Sequence, residues 1–196
     1  MNDRLQNSLE ERELVDSLKK GDDSALETII DMYNRKVYSL AYNFLGNHQD
    51  AEDIVQMVFI KVFQKIKGFK GKSSFSTWLH RITINCCKDF LKAKYRSHTY
   101  YLEDLNPDDK KNVDNLTPSN QPLPSDYLQD KELNEIINSA LDNLSLEHRE
   151  IIIMREREGL SYEEISNILD CNLGTVMSRL FNARKKLAEI LKKKIR

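Results

Sequence analysis

The chain has 196 residues, 40% apolar and 31% charged, enough for one ordinary domain or two small ones built from amphipathic elements. Six glycines and four prolines are too few for a turn-rich all-β architecture, and no run approaches the ~18 apolar residues of a membrane span. The start, Met1-Asn2-Asp3-Arg4, lacks a signal-peptide hydrophobic stretch, and three cysteines, two of them adjacent (Cys86, Cys87), form no disulfide framework, so the expected setting is a reducing cytosol.

The formal net charge of −1 conceals strong segmentation. Residues 61–98 carry ten basic side chains and one acidic, and 184–196 carry seven and one. The intervening stretches are acidic: 1–60 is net −6, 99–130 net −5 and 131–183 net −5. Two separate basic blocks point to two polyanion contacts. The 61–98 block is interleaved with Phe69, Phe75, Trp78 and Tyr95, which favours nucleic acid there; the 184–196 block reads equally well as a solvated helix face.

Helical spacing of apolar residues runs through Val37, Leu40, Ala41 and Phe44. Asn47 followed by Asp50, Glu52 and Asp53 then suits a helix N-terminus. The helix expected over 50–67 has two adjacent apolar rows, drawn from Ile54, Val55, Val58, Phe59, Val62, Phe63 and Ile66. One row serves the core. The other either buries too or, rimmed by acidic residues, meets a protein partner. Next comes the Gly/Ser loop Phe69-Lys-Gly-Lys-Ser-Ser-Phe-Ser-Thr-Trp78, leading into a helix through 79–95 with positions 78, 79, 82, 86 and 90 on its apolar side and Arg81, Asn85, Lys88 and Lys92 away from it. Aromatics, hydroxyls and cations together suit a splayed single-stranded base. Trp78, on the apolar side, reads better as a core anchor than as a stacking residue.

All four prolines fall in a polar stretch with few large apolar residues, which reads as a linker. The expected architecture is all-α: one helical domain over 8–97, a linker over 98–127 and a second helical domain over 128–194. In the second, Ser161-Tyr-Glu-Glu164 is a capping box opening a helix that buries Ile165, Ile168 and Leu169 and ends near Asp170, a residue tolerant of the left-handed conformation. After Cys171-Asn172-Leu173-Gly174 a second helix buries Val176, Leu180, Ala183 and Leu187. Its other faces carry Thr175, Ser178, Phe181, Asn182 and Lys185, flanked by Arg179 and Arg184. This is the form of a helix-turn-helix, or of a helical hairpin that merely packs.

These residues resemble a known family. Leu45-Gly46-Asn47, Asp50-Ala-Glu-Asp-Ile-Val-Gln56, Phe75-Ser-Thr-Trp-Leu79, Arg81-Ile82 and Asn85 resemble region two of extracytoplasmic-function sigma factors of the sigma-seventy family. Leu144-Ser145, Arg149-Glu150, Ser161-Tyr-Glu-Glu-Ile165, Gly174-Thr-Val176 and Ser178-Arg-Leu180 resemble their region four. The resemblance implies a transcription initiation factor without catalysis, cofactor, metal or small-molecule substrate. It implies docking of Asp50, Glu52, Asp53, Ile54, Gln56 and Phe59 on the clamp of the largest subunit of core RNA polymerase, with the second domain meeting the flap of the second-largest. Minus-ten promoter DNA would fall to Lys70, Lys72, Ser74, Phe75, Ser76, Thr77, Arg81, Asn85, Lys88 and Lys92. Minus-thirty-five DNA would fall to Gly174, Thr175, Met177, Ser178, Arg179, Phe181, Asn182, Arg184 and Lys185. It further implies a cytoplasmic protein, monomeric or held one-to-one by a membrane-anchored anti-sigma factor, in a stress or cell-envelope response.

The two promoter elements lie about 17 base pairs apart, roughly 60 Å. A linker of ~29 residues reaches up to ~95 Å, so both can be touched at once. Four positions depart from the family pattern: Met177 and Asn182 where cations are frequent, Ser166 for an alanine, and Asp170 for a glycine. A lone helix-turn-helix repressor would explain 128–196 but leaves the basic aromatic loop 69–78 without a task. Cys86, Cys87 and His80 lack metal-ligand spacing.

Overall fold

The computed structural model describes residues 2–104 and 125–194, with side chains over 10–96 and 133–194. Among these residues every regular element is helical. The first domain comprises α1 (Asn2–Lys19), α2 (Asp23–Leu45), α3 (His48–Lys65) and α4 (Phe75–Asp104), with one 3₁₀ turn at Ile66–Gly68. The second comprises α5 (Ser125–Asp142), α6 (Leu146–Ile152), which runs on as a π-turn over Ile153–Arg157, then α7 (Tyr162–Leu169) and α8 (Leu173–Lys194).

Local chemistry sets the ends of these helices. Asp22 accepts from the Ser24 N–H to open α2, and Gly46, at φ 70°, closes it by donating to the Tyr42 carbonyl. Asn47 then accepts from the Asp50 N–H and starts α3 one residue later. A chain reversal that needs only two residues must take the left-handed conformation at once, and glycine does so without a Cβ clash. α4 continues past the expected boundary at 97 to Asp104, because no glycine or proline interrupts 75–104. The middle of the expected linker, 105–124, lies outside the described residues.

α2, α3 and α4 pack against one another around Ile29, Val37, Leu40, Phe44, Ile54, Val58, Val62, Leu79 and Cys86, all nearly or fully buried. α1 lies across α2, where the Tyr33 hydroxyl donates to Glu11. In the second domain α8 is the central helix, with α5, α6 and α7 all against it and Val176, Leu180 and Ala183 sealed inside. The two domains are in contact. α7 lies on α4 and the π-turn on α2, and the buried apolar residues of both domains form one continuous cluster.

α7 begins with both halves of the capping box. The Glu164 N–H donates to Ser161 Oγ at 3.2 Å, and the Ser161 N–H donates to Glu164 Oε2 at 2.7 Å. That backbone bond, with the side-chain one, holds the Glu164 carboxyl below its ordinary value of 4.5. A carboxylate whose pKa is lowered by folding stabilises above its ordinary value, and that contribution is lost as pH falls through the lowered one. Ser161→Ala should therefore cost about 1 kcal/mol in urea denaturation at neutral pH. Glu164→Ala should destabilise at neutral pH and lose that effect in acid; a constant difference across the range would exclude the charge-assisted cap.

Candidate nucleic-acid interface

The turn between α7 and α8 is built from side chains. Asp170 sits at φ 53° and ψ 49°, as its tolerance of the left-handed region led us to expect. Ser166 donates its hydroxyl to the Cys171 carbonyl at 2.5 Å. The two departures Ser166 and Asp170 thus brace one turn from both sides. Asn172 accepts from the Thr175 N–H at 2.8 Å and from the Thr175 hydroxyl at 2.9 Å. Because of that cap α8 starts at Leu173, earlier than expected, and Gly174 lies inside its first turn.

α8 turns an uncovered face outward. Gly174, Met177, Ser178, Asn182, Arg184 and Lys185 are exposed, Phe181 is 69% exposed, and Thr175 and Arg179 are half-buried. Leu173, Met177 and Phe181 stand at i, i+4 and i+8 and make an apolar stripe along the middle of this face. Basic groups lie beside it. Arg184 is already paired: its Nε and Nη2 donate to Glu156 Oε1 at 2.9 and 2.5 Å.

In the first domain the expected minus-ten residues separate into three groups. Lys70, Lys72 and Ser74 are exposed on a loop that turns at Gly71, φ 68°. Ser74 Oγ accepts from the Thr77 N–H at 3.1 Å and bonds the Thr77 hydroxyl at 2.8 Å, so it caps α4 and draws residues 75–77 into the helix. Ser76 and Thr77 are half-buried there. Phe75 is only 2% exposed, which corrects its expected place on the DNA face. Its ring lies 5.4 Å from Tyr33, 6.0 Å from Phe69 and 5.6 Å from Trp78, an aromatic cluster that anchors the start of α4. Trp78 belongs to the same cluster, 5.0 Å from Phe69, as a core anchor should.

Along α4, Asn85 and Lys92 are exposed, but Arg81 and Lys88 are engaged by the second domain. Arg81 donates twice to the Asn167 carbonyl, once from Nε at 3.1 Å, and its Nη2 lies 3.8 Å from Asp170. Lys88 Nζ is 2.8 Å from Glu150 Oε2, and the Glu150 side chain is 3% exposed. The sequence gives no local signal for either contact.

On α3, Glu52, Asp53 and Gln56 are exposed. Ile54 is fully buried and Phe59 is 7% exposed, which corrects their expected place in a partner contact: they form the inner row that holds α3 in the core. Asp50 is mostly covered and paired with Lys94 of α4 at 2.8 Å. The outward apolar row is Met57, Ile60 and Phe63, at 40, 57 and 50% exposure. It stands beside an open groove of about 470 Å³ lined by Asn34, Arg35, Tyr38, Glu52, Val55 and Gln56. Sequence reasoning missed Met57 and Ile60; their three-residue spacing off the core row was the available signal.

Among the described residues no group of three His, Cys, Asp or Glu side chains is placed to hold a metal. Cys86 and Cys87 are both buried, and burial pushes both thiols up. No described helix is long and apolar enough to cross a membrane.

Residues 29–97 match the family described as Sigma-70 region 2, and residues 134–187 match Sigma-70, region 4. The ECF RNA polymerase sigma-E factor of Haemophilus influenzae is 36% identical over 178 residues, covering 90% of this chain and 93% of that protein. The sigma-E factor of Escherichia coli is 34% identical over 182 residues, 92% of this chain and 94% of that one. Among solved structures, the sigma factor RpoE in complex with the anti-sigma factor NepR from Bartonella quintana aligns with TM-score 0.55 at 27% identity, over 85% of this chain and 96% of that one. CnrH, in complex with the cytosolic domain of CnrY, shares the fold with TM-score 0.64 at 20% identity, over 93% of this chain and 97% of that one. With both regions present in order and relatives aligned over nearly its whole length, the chain belongs to the ECF sigma factors of the Sigma-70 family.

Proposed function

We propose that this chain recruits core RNA polymerase to promoters through two units, 8–97 and 128–194, each with its own task. The observation that carries the reading is the pairing of two uncovered faces of different chemistry within a member of this family. One is apolar and acid-rimmed on α3; the other is polar, apolar-striped and basic at its flank on α8.

The α3 face suits a protein partner. Met57, Ile60 and Phe63 expose apolar surface that a monomer has little reason to leave in water, and Glu52 and Asp53 set a negative rim beside it. Its partner is the clamp of the largest polymerase subunit. The α8 face suits a major groove. Ser178 and Asn182 carry hydrogen-bonding groups for base edges, Lys185 supplies charge to phosphate, and the Met177–Phe181 stripe matches thymine methyls. Here the replacement of cations by Met177 and Asn182 moves recognition from charge toward shape and apolar contact. Lys70, Lys72, Asn85 and Lys92 would track the unpaired minus-ten strand, with Arg81 and Lys88 joining once released. The similar sigma factor RpoE of Bartonella quintana was solved with the anti-sigma factor NepR. We infer a one-to-one inhibitor for this chain as well, membrane-anchored and holding it at the inner face of the membrane during an unstressed state.

The direct test is transcription in vitro from the promoter upstream of its own operon, with purified core polymerase alone and with the chain added. Start-site-specific RNA only in the second case supports the reading; no co-elution with polymerase overturns it. Ile60→Asp should abolish co-elution with core polymerase while leaving the thermal unfolding midpoint within a few degrees, because residue 60 is solvent-facing. Lys185→Gln should weaken binding to duplex minus-thirty-five DNA about equally across sequences and lower the salt slope by ~1. Sequence-selective loss would mean instead that Lys185 reads a base.

A further inference from the structure

The wide turn that ends α6 ties the helices of the second domain together. Its Glu158 N–H donates to the Ile153 carbonyl, five residues back, at 3.0 Å, the bond that makes this a π-turn. Consecutive side chains then leave it toward three different helices. Arg155 lies over the Tyr162 ring at the start of α7, 5.0 Å from its centre, and donates to the Leu160 carbonyl at 2.8 Å. Glu156 takes Arg184 of α8, whose Nε and Nη2 both donate to its Oε1. Arg157 donates to Asn138 of α5 at 2.8 Å.

Arg184 is well placed for DNA. It stands seven residues after Met177 and eleven after Leu173, so it continues the row that Leu173, Met177 and Phe181 begin. At 1.5 Å per residue it lies ~10 Å along the helix from Met177. A recognition helix meets base edges with its N-terminal residues, in a groove ~12 Å wide. A cation ~10 Å behind those residues comes level with the groove rim, where the phosphates are. Yet the guanidinium is already engaged. The Glu156 hydrogen bond, with a smaller contribution from Tyr162, pushes the Arg184 pKa above its ordinary value, as a paired cation requires. The pair is half-exposed, 50 and 47% at the two side chains, so it adds little to the stability of the fold. What it changes is charge at the rim. A neutral pair stands where a free arginine would present one positive charge.

We propose that Glu156 limits sequence-independent duplex binding by this chain: it draws Arg184 onto the π-turn and so withholds one phosphate contact from α8. The proposal rests on the assignment of α8 to duplex DNA. Glu156 is a positioning residue, acting on DNA through Arg184. One contact fewer lowers affinity for every sequence alike, because phosphates carry no sequence information. Ser178, Asn182 and the apolar row are then left to decide which duplex is held.

Fluorescence anisotropy on the full-length chain tests this with two duplexes across a salt series. One is the minus-thirty-five segment of the promoter upstream of its own operon; the other is a scrambled duplex of the same composition. Glu156→Gln should tighten both several-fold and by the same factor, and steepen the salt slope by ~0.9, the value of one added phosphate contact. Its thermal midpoint should stay within a few degrees, since the pair is half in water. Arg184→Gln should then cost more in the Glu156→Gln background than in the otherwise unmodified chain, and take back the extra slope there. Weaker binding by Glu156→Gln overturns the proposal and makes Glu156 a support that presents Arg184 to phosphate. Equal cost of Arg184→Gln in both backgrounds also overturns it, because the carboxylate then repels DNA without acting through Arg184. The α8 assignment fails separately. A Lys185→Gln variant that weakens neither duplex removes α8 from DNA, and the proposal with it. An effective Lys185→Gln beside an unchanged slope for Glu156→Gln overturns the proposal alone.

Discussion

Everything in the first domain depends on α4 having two working sides. One side packs Phe75, Leu79, Ile82 and Cys86 among the buried residues that α2 and α3 also supply. The rest of its surface carries Arg81, Asn85, Lys88 and Lys92. Arg81 and Lys88 lie away from that packed side, one turn either side of Ile84, and are half-covered because the second domain lies over them. Their charge meets the carboxylates of Asp170 and Glu150 there.

How far the sequence revealed this depends on the range of the interaction. The capping box at Ser161 and Glu164, the left-handed Asp170 and the helix start after Asn47 were legible, because hydrogen bonds spanning a few residues decide them. Phe75 was misread for a tertiary reason. Its neighbours are serines and it follows a glycine loop, but the Ser74 cap lifts it into the first helical turn, where the Tyr33 ring receives it. On α3 the period marked two apolar rows between Ile54 and Ile66 but not Met57 or Ile60, and which residues face outward could not be read from it. That choice was made by where α2 and α4 lie, and it turned Ile54 and Phe59 inward and Met57, Ile60 and Phe63 outward. Lys88 with Glu150 and Arg81 with Asn167 join residues 62 and 86 positions apart. Spacing carries no trace of such pairs, and only the opposite signs of two segments hinted that they could attract.

α8, the helix proposed to read duplex DNA, has a face that stays exposed although it carries apolar surface. Phe181 and Met177 bring large apolar groups into water beside Ser178 and Asn182. A helix that served only phosphate would put lysines there. The stripe makes sense if the groove it enters has methyl groups to cover, since each buried methyl-sized contact returns part of the lost hydration while a mismatched polar edge returns none. Pairing Arg184 with Glu156 fits the same proposal, because it withdraws one cation from that exposed face. Less charge lowers affinity for all DNA and leaves a larger share of the binding energy to the bases.

The asymmetry between the two faces follows the order in which the nucleic acid becomes available. Duplex DNA is present everywhere, so an exposed α8, if it reads duplex DNA as proposed, meets that form at any time. Single-stranded minus-ten DNA exists only after the duplex has been opened, a step that costs several kcal/mol of unstacking and needs polymerase to offset it. The pairs that join the domains differ in kind: Arg81–Asp170 is long and exposed, whereas Lys88–Glu150 is short and largely covered, so losing one partner of the second would leave a buried charge.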